Sequence, residues 1–126
     1  MSKNIIECTG SPAAIGPYSQ AVQCNGMLFV SGQVPIDVST GKLVEGGIRE
    51  QTAQVLRNIG AILREAGYDY PDVVKTTCLL SDMELFKEMN EIYSGFFPQA
   101  PPARCTFAVR QLPLQALVEI EVIAVR

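Results

Sequence analysis

Histidine is absent from this sequence, and so is tryptophan. Without an imidazole side chain, the protein has no histidine base for a catalytic triad and no histidine ligand for a metal ion. The four cysteines show no Cys-x-x-Cys spacing, and they are Cys8, Cys24, Cys78 and Cys105. We therefore expect neither a structural zinc site nor a disulfide framework, and we interpret the cysteines as reduced thiols of a cytoplasmic protein.

Charge is also scarce. Charged residues make up 18% of the 126 residues, hydrophobic residues make up 48%, and the net charge is −3. Nucleic-acid binding usually requires a basic surface, so the sequence pI of about 4.9 argues against a nucleic-acid partner. The length and composition predict a single compact domain over residues 1–126, and the low charge content is consistent with a surface hidden in an oligomer.

Long apolar runs are missing too. No stretch approaches the length of a transmembrane helix, and the first residues, MSKNIIECTGS, lack the apolar core of a signal peptide. The sequence therefore predicts no association with a membrane.

Strand and helix patterns alternate along the chain. The strand patterns are rich in β-branched or alternating apolar residues, and they cover residues 27–35, 72–81, 105–112 and 116–125. One helix is predicted to begin at Ile48 and to end at Gly67, a typical C-terminal cap. A second helix is predicted to follow a capping box formed by Ser81 and Glu84.

This order of elements indicates the fold class. Strands, helix, strand, helix and strands are accommodated by a single mixed β-sheet with two helices packed on one face, an α+β arrangement. The other face of the sheet would be bare. Because its strands are apolar, we expect that face to pack against other subunits.

Two charged residues stand out within predicted strands. Glu119 lies in the nearly apolar run LVEIEVIAV, and Arg104 lies fifteen residues earlier, at the start of what we expect to be the adjacent strand. A charge in an apolar strand needs a partner. Residue type alone favours a structural explanation, either an ion pair between Arg104 and Glu119 or two acids, Glu119 and Glu121, on a solvated sheet face. The alternative is that Arg104 binds an anion from outside the chain.

Three further stretches contain candidate site residues, and each candidate also has a plain structural interpretation. Tyr18 in IGPYSQA could be a packed aromatic residue of a turn. Gly32, after Ser31 in FVSGQ, could mark a bulge or a close approach, or only the end of a strand. Asn90 lies off the apolar stripe of the second helix, where a solvated residue is expected.

Several of these stretches, taken in order, resemble the Rid family of reactive intermediate deaminases, and in particular its RidA branch. The strongest part is C-terminal: PAR at 102–104, followed by FAVRQL and by VEIEVIAV at 118–125. The other matching stretches occur in the same order as in the family, and they are AIGPYSQAV (14–22), VSGQVP (30–35), AGYDYPDVVKTT (66–77) and MNEIYSGFF (89–97).

The resemblance implies a chorismate-mutase-like α+β fold and a homotrimer with sites between subunits. It also implies hydrolysis of 2-imino acids, such as 2-iminobutanoate and 2-iminopropanoate, to 2-keto acids and ammonia without a cofactor. Arg104 would bind the substrate carboxylate and Glu119 would handle the water. The residues that would line the pocket are Tyr18, Ser31, Gly32, Asn90 and the backbone of Thr106. Thr106 stands where some members have a cysteine. Because the resemblance implies that this position would contact substrate through its backbone, activity is expected to survive.

Other functions remain open at this point. Members of the family have been described as translation inhibitors and endoribonucleases, but the acidic composition counts against an RNA-directed activity here. A non-catalytic regulatory or chaperone-like protein that binds small carboxylates would use the same arginine pocket. Chorismate mutase activity would rest on fold analogy alone.

Overall fold

A computed structural model describes residues 2–126 of the chain. Two helices and eight strands follow one another in this order: β1 (Asn4–Ile6), β2 (Ala21–Cys24), β3 (Met27–Gln33), β4 (Ile36–Asp37), β5 (Lys42–Leu43), α1 (Ile48–Glu65), β6 (Val73–Leu80), α2 (Phe86–Phe96), β7 (Ala103–Ala108) and β8 (Val118–Val125). Short 3-10 turns precede β6, α2 and β8.

Six of the strands form one mixed sheet in the order β1-β2-β3-β8-β6-β7, and β4 pairs with β5 in a separate hairpin. The β6–β7 pair is parallel and all other neighbours are antiparallel. This confirms the predicted mixed α+β sheet. The expectation that the strand of Arg104 lies beside that of Glu119 is wrong, because β7 returns parallel to β6 through α2 and β8 pairs with the opposite edge of β6.

Both helices cover one face of the sheet, as predicted. The inward residues of α1 recur at helical spacing and are fully buried, for example Val55, Leu56 and Ile59. Alternate residues of β8 lie beneath the helices and are also buried, beginning with Val118 and Ile120. The hydrophobic core therefore lies between the helices and this face.

The start of the second helix differs from the prediction. Asp82, and not Ser81, is the cap of the preceding 3-10 turn, since its carboxylate accepts a hydrogen bond from the Glu84 backbone at 2.8 Å. The backbone N–H of Ser81 instead donates to Leu117, at the entrance of β8. The α-helix itself begins one turn later, at Phe86.

The opposite face of the sheet, which we call the open face, is covered by no other element of residues 2–126. Its large apolar side chains remain substantially exposed, with Phe29 at 42%, Val125 at 43% and Phe107 at 45%. Isolated exposed apolar residues are ordinary, but several of them on one sheet face are typical of an interaction surface.

A buried glutamine anchors the long segment between β1 and β2. The Gln20 side-chain oxygen accepts a hydrogen bond from the Cys8 backbone at 2.7 Å. Its amide nitrogen lies within hydrogen-bonding distance of the Cys8 carbonyl, the Ser11 hydroxyl and the Pro12 carbonyl, at 3.0, 2.8 and 2.7 Å. One side chain thus satisfies the backbone of a loop that has no sheet or helix partners of its own.

Replacing Gln20 with leucine should destabilise the protein by about 1–3 kcal/mol, because the buried Cys8 backbone groups would lose their partner. The check is urea unfolding at one fixed protein concentration. Gln99→Leu at an exposed loop position is the matched control and should unfold near the wild-type midpoint. Equal midpoints for the two variants would contradict the anchoring role.

Candidate active site

Arg104 lies on the helix-covered face of β7 and is half-buried. Its Nη1 donates a hydrogen bond to Oδ1 of Asn90 at 2.7 Å. The guanidinium carbon lies 4.7 Å from the ring centre of Tyr93 and 5.4 Å from that of Phe86, within the range of cation–π attraction. Within residues 2–126, no carboxylate forms an ion pair with Arg104. The structural Arg–Glu pair considered from the sequence is therefore absent from the fold of the chain.

The spacing along α2 explains this arrangement. Phe86, Asn90 and Tyr93 are four and three residues apart, so all three lie on one face of the helix and reach Arg104 together. Asn90 is half-buried, and its interpretation as a solvated helix residue is wrong. A groove of about 490 Å³ adjoins the guanidinium, and Pro101 and Pro102 are among the residues that line it.

The backbone of β7 is accessible along its outer edge because no strand follows it in the sheet. The backbone N–H of Val109 donates a hydrogen bond to the carbonyl oxygen of Leu80 on β6, with a nitrogen–oxygen distance of 2.8 Å. Peptide groups alternate in direction along a strand, so the N–H groups of Arg104 and Thr106 point away from β6, to the free edge. The predicted role of Thr106 through its backbone is thus geometrically available.

Glu119 occupies a different position, on the open face of β8. Its carboxylate packs so closely over Gly32 that a Cβ atom at residue 32 would lie 2.2 Å from Oε2. The β3–β8 register also shifts between Val30 and Gln33, so Gly32 is both a bulge and a place of close approach. Burial raises the pKa of Glu119 above its usual range, and the nearby Glu121 raises it further.

Ser31 and Tyr18 lie toward the same region as Gly32. The Ser31 hydroxyl donates to the Ser19 carbonyl at 2.6 Å, and the Ser31 N–H donates to the Gln20 carbonyl at 2.9 Å. These bonds tie β3 to the segment that carries Tyr18. The Tyr18 side chain is 50% exposed and borders a cavity of about 890 Å³.

The predicted residues therefore form two groups. The arginine half comprises Arg104, Asn90 and Thr106, and the glutamate half comprises Tyr18, Ser31, Gly32 and Glu119. Glu119 is level with Leu79 of β6, which is level with Phe107 of β7, three residues beyond Arg104. The backbones of Arg104 and Glu119 are thus about 9.5 Å apart across the sheet and about 10 Å apart along it, and their side chains leave opposite faces.

The two aromatic rings beneath Arg104 are site components that the sequence analysis did not identify. These rings are Phe86 and Tyr93, both on α2. Their spacing around Asn90 is the signal that could have identified them, because residues at i, i+4 and i+7 of a helix contact one common partner.

No metal centre or membrane span appears in the described chain. Among residues 2–126, histidine, cysteine, aspartate and glutamate side chains nowhere cluster in groups of three that could hold a metal ion. Neither helix in this range has the length and apolar character needed to cross a bilayer.

Comparisons with known proteins agree with this architecture. The sequence profile of the endoribonuclease L-PSP family matches residues 8–126. A mouse protein named 2-iminobutanoate/2-iminopropanoate deaminase is 51% identical, over 98% of this chain and 92% of its own length.

Two solved structures also superpose closely. YyfA of the conserved Rid protein family from Yersinia pestis has a TM-score of 0.95 and 48% identity, covering 99% of this chain and 100% of its own. TdcF from E. coli, solved with bound serine, has a TM-score of 0.93 and 38% identity, covering 98% of each chain. With a profile match over nearly all of its length and relatives of this identity, the chain belongs to the endoribonuclease L-PSP family, the family of the Rid proteins.

Proposed function

We propose that the protein is a hydrolytic deaminase that converts reactive 2-imino acids, such as 2-iminobutanoate and 2-iminopropanoate, to 2-keto acids and ammonia. The observation that carries this proposal is the half-buried Arg104, which has an ordered guanidinium but no acidic partner within residues 2–126. A cation held in this way is suited to an anion supplied from outside. The name of the mouse relative supports the choice of substrate.

Arg104 binds the substrate carboxylate in this proposal. The guanidinium has five N–H donors, and Asn90 takes one of them, so a fork of two parallel donors remains for a carboxylate. Backbone N–H groups at the free edge of β7 add neutral donors beside it. Holding the substrate at a fixed position removes much of the entropic barrier to attack by water.

Glu119 is the base in this proposal. It accepts a proton from water as the water oxygen attacks the electrophilic carbon of the C=N bond. Glu119 passes that proton to the nitrogen, which gives a tetrahedral adduct with one hydroxyl and one amino group. Glu119 then takes the hydroxyl proton and delivers it to the amino nitrogen as the C–N bond breaks, so that ammonia leaves and the keto group forms. The raised pKa of Glu119 suits this role, since a base with a pKa nearer to neutrality both takes and returns a proton readily.

Both halves of the site can act on one substrate only if two copies of the chain meet. Arg104 and Glu119 lie two strands apart and on opposite faces, so one chain cannot direct both at the same molecule. We therefore propose a homotrimer in which the arginine half of one copy faces the glutamate half of another. The exposed apolar residues on the open face support such packing.

The cysteines support action in the cytoplasm, where thiols stay reduced. All four are free in the structure. Cys78 and Cys105 lie on neighbouring strands, but burial shows that they face opposite sides of the sheet, so they cannot form a disulfide within the chain.

A carboxylate-binding protein without catalysis is the second candidate. The arginine half is complete within one chain, and TdcF was solved with bound serine, which carries a carboxylate. The two functions differ in one measurement, since a binder would hold 2-oxobutanoate without accelerating loss of the imine. An RNA-directed activity, which the family name suggests, would have to act from a surface of net charge −3.

The role of Arg104 predicts a specific loss of imine hydrolysis. A threonine dehydratase generates 2-iminobutanoate in the assay, and semicarbazide traps what is not hydrolysed. Arg104→Ala should lower kcat/KM by about 100-fold or more, because a charge-assisted bidentate contact is lost, and Arg104→Lys should fall in between. Arg110→Ala, at an exposed position beyond β7, is the control and should retain activity. Full activity of Arg104→Ala would exclude this role.

The close packing of Gly32 under Glu119 predicts separate effects on activity and folding. Gly32→Ala places a methyl group where the Glu119 carboxylate lies, so the carboxylate must move. We expect kcat to fall by about 10-fold or more, with a change in Tm of only a few degrees, because the displaced end is a flexible side chain. Gly95→Ala, at a position open to solvent, is the control and should leave kcat unchanged. An unchanged kcat in Gly32→Ala would show that the position of Glu119 is irrelevant.

The raised pKa of Glu119 predicts opposite effects of Glu119→Gln on activity and stability. Folding raises this pKa, so the stability of the wild type decreases as pH rises from the usual carboxyl value through the raised one. Glu119→Gln removes this loss and should raise Tm at neutral pH while abolishing hydrolysis. Wild-type kcat should decline on acidification at a pH above the usual glutamate range. The assignment would be contradicted if Glu119→Gln had a lower Tm than wild type at pH 7 and if wild-type kcat fell only within the usual glutamate range.

A further inference from the structure

A buried hydrogen bond joins the ring beneath Arg104 to the middle of the sheet. The hydroxyl groups of Tyr93 and Thr76 lie 2.7 Å apart, and both residues are buried, with Thr76 at 0% and Tyr93 at 6% exposure. Nothing in the proposed reaction uses either hydroxyl. A polar pair placed deep in an apolar core, where two apolar residues would pack as well, suggests a constraint other than stability.

Strand register places this pair directly beside Arg104. Thr76 on β6 is the cross-strand partner of Arg104 on β7, and both face the helices. Tyr93 extends from α2 over the same point, so its hydroxyl reaches Thr76 while its ring lies 4.7 Å from the guanidinium carbon. The hydroxyl of Tyr93 is therefore fixed by Thr76, and its ring contacts the guanidinium of Arg104.

Packing on the other sides limits the ring further. Phe97 lies against it, with ring centres 4.8 Å apart and planes inclined by 43°. Burial raises the pKa of the Tyr93 hydroxyl, so the group stays a neutral partner for Thr76 at physiological pH. Arg104 is thus held between the Tyr93 ring and the Asn90 amide.

We propose that Tyr93, held by its hydrogen bond to Thr76, is a positioning residue that sets the plane of the Arg104 guanidinium for the incoming carboxylate. The inference rests on the proposed function only in that Arg104 must bind a carboxylate. A freely rotating arginine presents its fork to an anion for part of the time, whereas a stacked arginine presents it continuously. The hydroxyl of Thr76 then acts on the ligand through two intermediaries, the tyrosine ring and the guanidinium.

The test uses shape-preserving variants of the whole protein and two readouts. Thr76→Val and Tyr93→Phe each remove one hydroxyl, and Tyr93→Leu removes the ring. For the first two we expect a 3- to 10-fold rise in the Kd for 2-oxobutanoate, measured by calorimetry, and in KM for imine hydrolysis, with kcat within 2-fold of wild type. For Tyr93→Leu we expect a rise of more than 10-fold in both constants.

The double variant Thr76→Val/Tyr93→Phe separates positioning from two independent defects. Both substitutions break the same hydrogen bond, so the double variant should bind no more weakly than the worse single variant. If the increases in Kd of the two single variants multiplied in the double variant, the shared role would be overturned. A structural defect would instead lower the active fraction, which reduces apparent kcat and leaves Kd unchanged.

Tyr68→Phe is the matched control. Tyr68 is also buried, at 4% exposure, and its hydroxyl donates to the Gly26 carbonyl at 2.9 Å. Gly26 joins β2 to β3, three strands or more from the edge strand that carries Arg104. The control should lose stability without any change in Kd or KM. A rise in Kd equal to that of Tyr93→Phe would overturn the proposal, because burial alone would then explain the effect.

The outcomes also distinguish this inference from the proposed function. If wild-type protein binds 2-oxobutanoate but does not accelerate hydrolysis, the deaminase proposal fails and the Kd series alone decides the role of Tyr93. If wild-type protein neither binds 2-oxobutanoate nor accelerates hydrolysis, both fail. If Thr76→Val and Tyr93→Phe bind as tightly as wild type while hydrolysis proceeds, the deaminase stands and the positioning role is overturned, whether or not Tyr93→Leu folds.

Discussion

The positive charge of Arg104, half-buried and without a carboxylate partner in the described chain, is the constraint on which the site depends. A buried charge is costly unless its surroundings compensate for it. Here the compensation comes from neutral groups, the amide oxygen of Asn90 and the ring faces of Tyr93 and Phe86. These groups hold the guanidinium in place without neutralising it, so its charge remains available to an anion. An internal ion pair would have satisfied the arginine and closed the site.

The second acid-base group is kept away from this charge by the topology. The β6-α2-β7 crossover puts Arg104 on an edge strand facing the helices, while Glu119 leaves the central strand on the open face. The sheet itself separates the two groups and prevents the ion pair that their residue types favour. The same separation makes association of chains a chemical requirement of the proposed reaction and more than a source of stability.

The glutamate half of the site and the open face around it carry features that reduce the stability of the folded chain but are needed for the proposed site. The close approach of Glu119 to Gly32 requires a glycine within a strand, which weakens pairing, and burial of the carboxyl raises its pKa at the expense of the folded state at neutral pH. Apolar residues exposed on the open face add a further liability unless another chain covers them. Local costs of this kind are usual at functional sites, where geometry matters more than the stability of the single chain.

The sequence by itself determined the α+β class, the two helices on one face and the family, because apolar periodicity and ordered short motifs are local properties that survive in a linear reading. It also singled out Arg104 and Glu119, since charges in apolar strands are conspicuous without any structure. Strand order could not be read in this way: sequence neighbours β7 and β8 are separated by β6, so the expected adjacency of the two charges was wrong. The aromatic platform of Phe86 and Tyr93, the tether from Tyr93 to Thr76 and the contact of Glu119 with Gly32 were decided only by the tertiary structure. Each of them joins residues from different elements, and no local pattern records which elements will meet.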